Sequence, residues 1–180
     1  MKVLGICGSP RKGNTELLLE EALKAAEKAG AKTELVLLRN LRIKHCDGCV
    51  TCESGDTAGK CRINDEMQGI YKRMEAADAI IIGSPNYYNN VTGLLKDFID
   101  RTLVYYGKNK LKGKLGGVIA VGGGTTKEVV RAIKPMFMDR GVKVVGIVEV
   151  VAGAAGKVVK DKRAIAAARG LGKEIVETLK

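Results

Sequence analysis

The stretch Gly8-Ser9-Pro10-Arg11-Lys12-Gly13-Asn14-Thr15 follows a short apolar segment, residues 2–7, and leads into a helical pattern that begins at Asn14. A glycine-rich loop between a strand and a helix brings backbone N–H groups and the positive end of the helix to one point. Hydroxyl and guanidinium groups add further donors. The stretch therefore predicts a phosphate pocket built by Ser9, Arg11, Gly13, Asn14 and Thr15.

The spacing of these residues limits which phosphate-containing ligands the loop could bind. The stretch fits neither the Walker pattern Gly-x-x-x-x-Gly-Lys-Ser/Thr nor the dinucleotide fingerprint Gly-x-Gly-x-x-Gly, which argues against an ATPase and against a Rossmann dinucleotide site. A mononucleotide phosphate fits better. An ordinary turn rich in Gly, Pro, Ser and Asn is the alternative interpretation.

Apolar segments alternate with helical patterns along the rest of the chain. The segments at 33–38, 79–83, 115–121 and 142–150 are runs of Ile, Val and Leu, as expected for parallel strands covered on both faces. Helices are predicted near 14–30, 65–76, 92–104, 126–139 and 162–179, with a Thr125–Glu128 capping box on the fourth and Asp161 capping the fifth. We expect one domain over residues 1–180, an α/β fold with a flavodoxin-like doubly wound five-stranded parallel sheet in the order 2-1-3-4-5 and helices on both faces.

Two further loops are expected at the carboxyl ends of the strands, where ligands bind in such folds. The loop at 84–91 combines a rigid turn, amides and aromatic rings that suit a flat ring, with Pro85, Asn86, Tyr87 and Tyr88 as candidates. The loop at 122–125 offers bare backbone at Gly122, Gly123 and Gly124. A turn anchored to the core by its tyrosines is the alternative for the first loop.

Charge and hydropathy exclude several classes of protein. The formal net charge is +11, but there is no aromatic-rich basic face and no nucleic-acid motif, so nucleic-acid binding is not expected. No apolar run is long enough to cross a membrane and no signal peptide precedes the first strand, which predicts a cytoplasmic protein without a membrane partner. The basic surface suits anionic cofactors or acidic proteins.

Four of the five cysteines lie in one long connection, residues 39–64, at Cys46, Cys49, Cys52 and Cys61. The even three-residue spacing of the first three matches the cysteine run that holds a [4Fe–4S] cluster, with the last available as fourth ligand. Zinc, which prefers separated pairs of cysteines, and unliganded thiols remain alternatives. Disulfides do not suit a cytoplasmic protein.

The residues around this connection carry weaker signals. Arg42, Lys44 and Lys60 are expected to stabilise thiolates, and His45 either bonds to cluster sulfur or is a solvated loop residue. Cys7 lies among apolar neighbours in the first strand and is predicted to be a core residue.

With these residues identified, nearly the whole chain resembles the NADPH-dependent FMN reductase superfamily, and within it the iron–sulfur flavoproteins. Residues 8–15 resemble its FMN phosphate loop, Ser84-Pro85-Asn86-Tyr87 its loop at the isoalloxazine ring, and Lys96 with Ile99-Asp100-Arg101 the segment that follows. The four cysteines resemble its cluster motif. Two departures are a gap of eight residues between Cys52 and Cys61, and Thr125-Thr126-Lys127 in the third loop.

The resemblance implies an FMN-dependent oxidoreductase that transfers electrons between a [4Fe–4S] cluster, FMN and an external partner. It further implies NAD(P)H or a ferredoxin-like protein as electron donor, and a homodimer or homotetramer. Independently of the resemblance, the mixture of apolar and charged residues around Lys96, Asp97, Asp100 and Arg101 suits a subunit contact, with an exposed charged helix face as the alternative. A cluster-free NAD(P)H-dependent FMN or quinone reductase and a zinc-bearing, non-enzymatic binding module are the alternatives.

Overall fold

The apolar segments form one parallel sheet in a computed structural model that describes residues 1–180. Its strands are β1 (Lys2–Cys7), β2 (Lys32–Leu37), β3 (Ala79–Pro85), β4 (Leu115–Gly122) and β5 (Lys143–Val151), in the order β2-β1-β3-β4-β5. All four pairings are parallel. This is the predicted flavodoxin-like arrangement, and the fold prediction is confirmed.

Helices cover both faces of the sheet. They are α1 (Asn14–Lys28), α2 (Met67–Ala76), α3 (Gly93–Arg101), α4 (Lys127–Met138) and α5 (Lys162–Thr178), with short 3-10 turns at Leu38–Asn40, Gly55–Thr57, Thr102–Tyr105 and Lys157–Lys160. One apolar cluster joins α1 and α5 to the sheet, and the other joins α2, α3 and α4 to its opposite face. The three inner strands β1, β3 and β4 are therefore buried on both sides, which explains their apolar sequences, whereas the edge strands β2 and β5 are partly exposed.

The helix ends show one correct and one wrong prediction. Asp161 caps α5, since its carboxylate accepts the N–H groups of Arg163 and Ala164 at 3.0 Å. The Thr125–Glu128 capping box does not form, because α4 begins one residue later, with Thr126 at the cap position and no side-chain cap. The Thr126 hydroxyl instead donates to the Glu149 carboxylate at 2.5 Å, so tertiary contact with β5 replaces the local cap.

Helix α3 connects two regions that carry the candidate functional residues. It begins after the loop at 84–91 and ends at Arg101, beside the cysteine-containing connection. Its first turn lies against residue 8, where a Cβ atom in place of the Gly8 hydrogen would come within 2.7 Å of the Leu95 side chain. Glycine is thus needed for the close approach of the loop and the helix.

The helices are also relevant to membrane association. None of the five combines the length and the apolar character that spanning a bilayer demands.

Candidate functional site

A cavity of about 150 Å³ opens at the carboxyl edge of the sheet, where four loops meet. The loops after β1, β3 and β4 contribute Ser9, Arg11, Gly13, Asn14, Thr15, Pro85, Asn86, Tyr87, Gly122 and Gly123. The structure thus brings ten of the twelve residues predicted for cofactor binding to one place. The exceptions are Tyr88 and Gly124.

The first turn of α1 faces this cavity without a side-chain cap. Gly13 occupies the cap position, and the side chain of Thr15 is almost wholly buried beneath the cavity. The Ser9 hydroxyl donates to the Arg11 carbonyl at 2.7 Å, which fixes the shape of the loop. Uncapped N–H groups and the positive helix end favour an anion here.

Asn14 has a different role from the one its sequence position suggests. Its side-chain amide donates to the Ala154 carbonyl at 2.8 Å, and its oxygen accepts the Val158 N–H at 3.5 Å. It therefore joins the loop after β1 to the loop after β5. That fourth loop, with Ala152, Gly153, Ala154 and Ala155 lining the cavity, was not identified from the sequence.

The Asn86 side chain contains a buried hydrogen-bond acceptor that no group of the chain satisfies. Its backbone N–H donates to the Val121 carbonyl at 2.6 Å, and its side-chain N–H donates to the Thr125 carbonyl at 2.7 Å. These bonds fix the amide orientation and leave the side-chain oxygen buried with no partner. Buried acceptors are nearly always hydrogen-bonded, so a donor such as the N–H edge of a flavin ring fits this position.

The two adjacent tyrosines are oriented differently. Tyr87 lines the cavity and is 43 % exposed, whereas Tyr88 is fully exposed and lies outside it. Tyr88 and Asn89 both have positive φ, 53° and 58°, within a tight turn closed by a bridge between Tyr87 and Asn90. The turn directs Tyr87 to the cavity and Tyr88 to solvent.

A buried carboxylate lies in the first turn of α1 and would repel an anion if it were unpaired. Glu16 is buried, and Arg39 binds both of its oxygens, at 2.7 and 3.2 Å. The same pairing raises the pKa of Arg39. The ion pair therefore neutralises Glu16 and leaves Arg11 as the charged residue that lines the cavity.

The four clustered cysteines all line a second, smaller cavity of about 20 Å³, beside Arg101 at the end of α3. All four are free thiols, and Cys52 is the most buried of them. Burial raises the pKa of Cys52, whereas a hydrogen bond with the Thr51 hydroxyl lowers the pKa of Cys49. No three cysteine, histidine or carboxylate groups lie close enough together to hold a metal ion in this arrangement.

The cations near the thiols are not the ones expected from the sequence. Arg42, Lys44, Lys60 and His45 are exposed and do not line the cysteine cavity. Arg62 instead pairs with Asp47, and its contacts with Cys49 and Asp47 raise its pKa. Cys7 is fully buried in β1, as predicted, and burial raises its pKa to about 11.

Arg101 was a candidate for a subunit contact, and the structure corrects that interpretation. Its side chain is fully buried and pairs with Asp65 at 2.7 Å, while Lys96 and Asp100 form a separate exposed ion pair. Burial by itself would lower the pKa of Arg101, but its hydrogen bonds with the Asp65 carboxylate raise it. Arg101 is thus a permanently charged group beside the thiols.

Comparison with known proteins agrees with this arrangement. The sequence profile described as NADPH-dependent FMN reductase matches residues 1–157. An iron–sulfur flavoprotein of Archaeoglobus fulgidus is 43 % identical over 83 % of this chain and 66 % of its own length. One of Methanocaldococcus jannaschii is 37 % identical over 100 % of this chain and 98 % of its own.

Among solved structures, a flavone reductase superposes with a TM-score of 0.77 at 27 % identity, covering 99 % of this chain and 62 % of that one. The chain therefore spans about two thirds of the length of this protein and of the Archaeoglobus relative. The profile match and the two archaeal relatives decide the assignment: the chain belongs to the NADPH-dependent FMN reductase family, where its relatives include the iron–sulfur flavoproteins, and it is an FMN-dependent oxidoreductase.

Proposed function

We propose that this chain is an iron–sulfur flavoprotein that transfers electrons between a [4Fe–4S] cluster held by Cys46, Cys49, Cys52 and Cys61, FMN held at the sheet edge, and an external partner. The observation that carries the proposal is the convergence of all four cysteines on one cavity separate from the first. Chance placement of four free thiols in a 26-residue connection, 39–64, does not explain that convergence.

In the first cavity, the residues bind and orient a flavin mononucleotide. The uncapped first turn of α1, together with Thr15 and Arg11, binds the phosphate. The free oxygen of Asn86 accepts a hydrogen bond from the ring, and Tyr87 covers it. FMN supplies the hydride and electron chemistry when it is bound, and the chain controls its position and its surroundings.

In the second cavity, the four thiols provide the donor set of a [4Fe–4S] cluster. The cavity holds no more than about one water molecule, so the thiols must turn outward around a cluster, and the irregular backbone of residues 41–54 permits that change. Reduced pyridine nucleotide or a ferredoxin-like protein is the proposed donor, and the proposed assembly is a homodimer or homotetramer.

The test is purification under strictly anaerobic conditions, followed by visible spectroscopy and analysis of iron and FMN. We expect flavin bands over a broad cluster absorption, with about four iron atoms per chain. Cys52→Ala should lose iron, whereas the control Cys7→Ala, at a buried cysteine in β1, should keep it.

The other outcomes are equally informative. Flavin bands without iron would identify a cluster-free NAD(P)H-dependent reductase. A colourless protein that takes up zinc and no FMN would contradict the redox function altogether.

A further inference from the structure

The guanidinium of Arg101 makes four hydrogen bonds. Nη1 donates to the Lys44 carbonyl at 2.7 Å and to Asp65 Oδ2 at 2.7 Å. Nη2 donates to Asp65 Oδ1 at 3.0 Å and to the Ile63 carbonyl at 3.4 Å. The two-pronged geometry is specific to arginine, because a lysine ammonium cannot reach all these acceptors at once.

These partners lie at the two ends of the segment that carries the cysteines. Lys44 comes two residues before Cys46, and Ile63 comes two residues after Cys61. Asp65 strengthens the closure, because its Oδ2 also accepts the Lys44 N–H at 2.8 Å. One buried ion pair thus joins the start and the end of the segment.

Arg101 also has an unused donor. Its Nε is buried and has no hydrogen-bond partner, and the side chain lines the cavity shared by the four thiols. A buried cation with one carboxylate partner is stabilised further by negative charge nearby. Thiolates that converge on this cavity would supply that charge.

We propose that Arg101 is a positioning residue, which closes the cysteine segment through Asp65, Lys44 and Ile63 and places a buried positive charge beside the metal centre. The closure of the segment is independent of any metal. The effect of the charge rests on the proposed cluster, so the two parts are tested separately.

The first measurement is alkylation of the metal-free full chain by iodoacetamide, with each cysteine quantified by peptide mass spectrometry. Cys52 reports opening of the segment, and fully buried Cys7 in β1 reports global unfolding. In Arg101→Lys and Arg101→Met, we expect Cys52 to react at least about tenfold faster while Cys7 stays protected.

Arg62→Met is the matched control. Arg62 also forms an ion pair within the segment, with Asp47, but both side chains are well exposed. Exposed pairs contribute little, so Cys52 should react less than about twofold faster. If Arg101→Met unfolds, which reactive Cys7 would reveal, Asp65→Asn replaces it, because the amide keeps the shape and removes the charge.

The second measurement uses Co²⁺ as a probe, because thiolate–cobalt charge-transfer absorption reports thiolates that bind one metal. Both Arg101 variants should bind Co²⁺ at least about tenfold more weakly than the wild type. After anaerobic reconstitution with iron and sulfide, the cluster potential should be lower in Arg101→Met than in Arg101→Lys, which keeps the positive charge.

If Cys52 were alkylated at the wild-type rate in every Arg101 and Asp65 variant, or in Arg101→Lys alone, Arg101 would not be what closes the cysteine segment. Equal cluster potentials in the lysine and methionine variants would overturn the role of the charge. Fast alkylation in the variants of a chain that binds neither cobalt nor iron would support the closure and refute the proposed cluster.

Discussion

The hydroxyl of Thr92 donates a hydrogen bond of 2.5 Å to the backbone carbonyl of Gly8, although the two residues are far apart in sequence. The same oxygen accepts the Leu95 N–H at 3.2 Å and so caps α3. The cap of one helix is therefore also the anchor of the loop that shapes the first cavity.

Replacing Thr92 tests this double role. Thr92→Val keeps the volume but removes both hydrogen bonds, so we expect the free energy of unfolding to fall by about 1–3 kcal/mol and FMN to bind more weakly. Thr92→Ser keeps the hydroxyl and should retain most of both properties. Urea unfolding and FMN titration measure the two effects, and unchanged FMN affinity in the valine variant would contradict the anchoring role.

Thr15→Val tests the phosphate site at the start of α1. The substitution preserves the shape of a buried side chain and removes a hydroxyl at the cavity. We expect FMN to bind roughly 10- to 100-fold more weakly, as for a lost hydrogen bond to a charged group. Thr178→Val, at an exposed residue near the end of α5, is the control and should bind FMN as the wild type does.

The two tyrosines of the turn after β3 should respond differently. Tyr87→Ala removes a side chain that lines the cavity and should weaken FMN binding. Tyr88→Asn should leave binding unchanged and stabilise the fold by about 1 kcal/mol, because asparagine tolerates the positive φ at this position. Equal losses of flavin fluorescence quenching in both variants would show that Tyr88 also contacts the ligand.

Two glycines of α5 provide a test of packing. A Cβ atom at Gly172 would lie 1.9 Å from the Ala22 carbonyl oxygen of α1, so Gly172→Ala should destabilise the chain by about 1–3 kcal/mol or more. Gly170, in the same helix, has nothing within 4 Å, and Gly170→Ala should stabilise by about 0.5–1 kcal/mol. Thermal unfolding of both variants should give shifts of opposite sign.

Cys7 should make the fold sensitive to alkali. Burial raises its pKa from 9.0 to about 11, so the folded chain keeps the thiol proton to a higher pH than the unfolded chain. The buried neutral thiol therefore does not weaken the fold below pH 9, and the free energy of unfolding falls by about 2 kcal/mol as the pH rises from 9 to 11. Denaturant unfolding in reductant should show a loss smaller by that amount in Cys7→Ala; equal losses would refute the assignment.

The fold was predictable because it is encoded locally. Strand residues such as Ile80, Ile81 and Ile82 form runs that a sheet buried on both faces requires, and each run ends at a loop with turn residues. The capping box at Thr125 was wrong because the Glu149 carboxylate, on another strand, binds the Thr126 hydroxyl. The helix-capping preferences of residues 125–128 could not reveal a hydrogen bond to a residue on another strand.

The candidate site was predictable in part. The loops rich in glycine and polar residues could be recognised from the sequence. The loop from Ala152 to Ala155 could not, because its small residues have no polar or reactive side chains. Its position after the fifth strand was the available signal, because every parallel strand ends at the same edge. The burial of Arg101 depends on Asp65, on Lys44 and on Ile63, and no local pattern reports contacts over such separations.

Helix α3 runs for nine residues between Thr92, which is bonded to the loop after β1, and Arg101, which is bonded to both ends of the cysteine segment. A single inserted residue would turn Arg101 by about 100° and shift it by about 1.5 Å, away from all its acceptors. The relative position of the two cavities therefore depends on the exact number of residues in α3. Side chains on the solvent face of this helix are free to diverge, whereas its length is not.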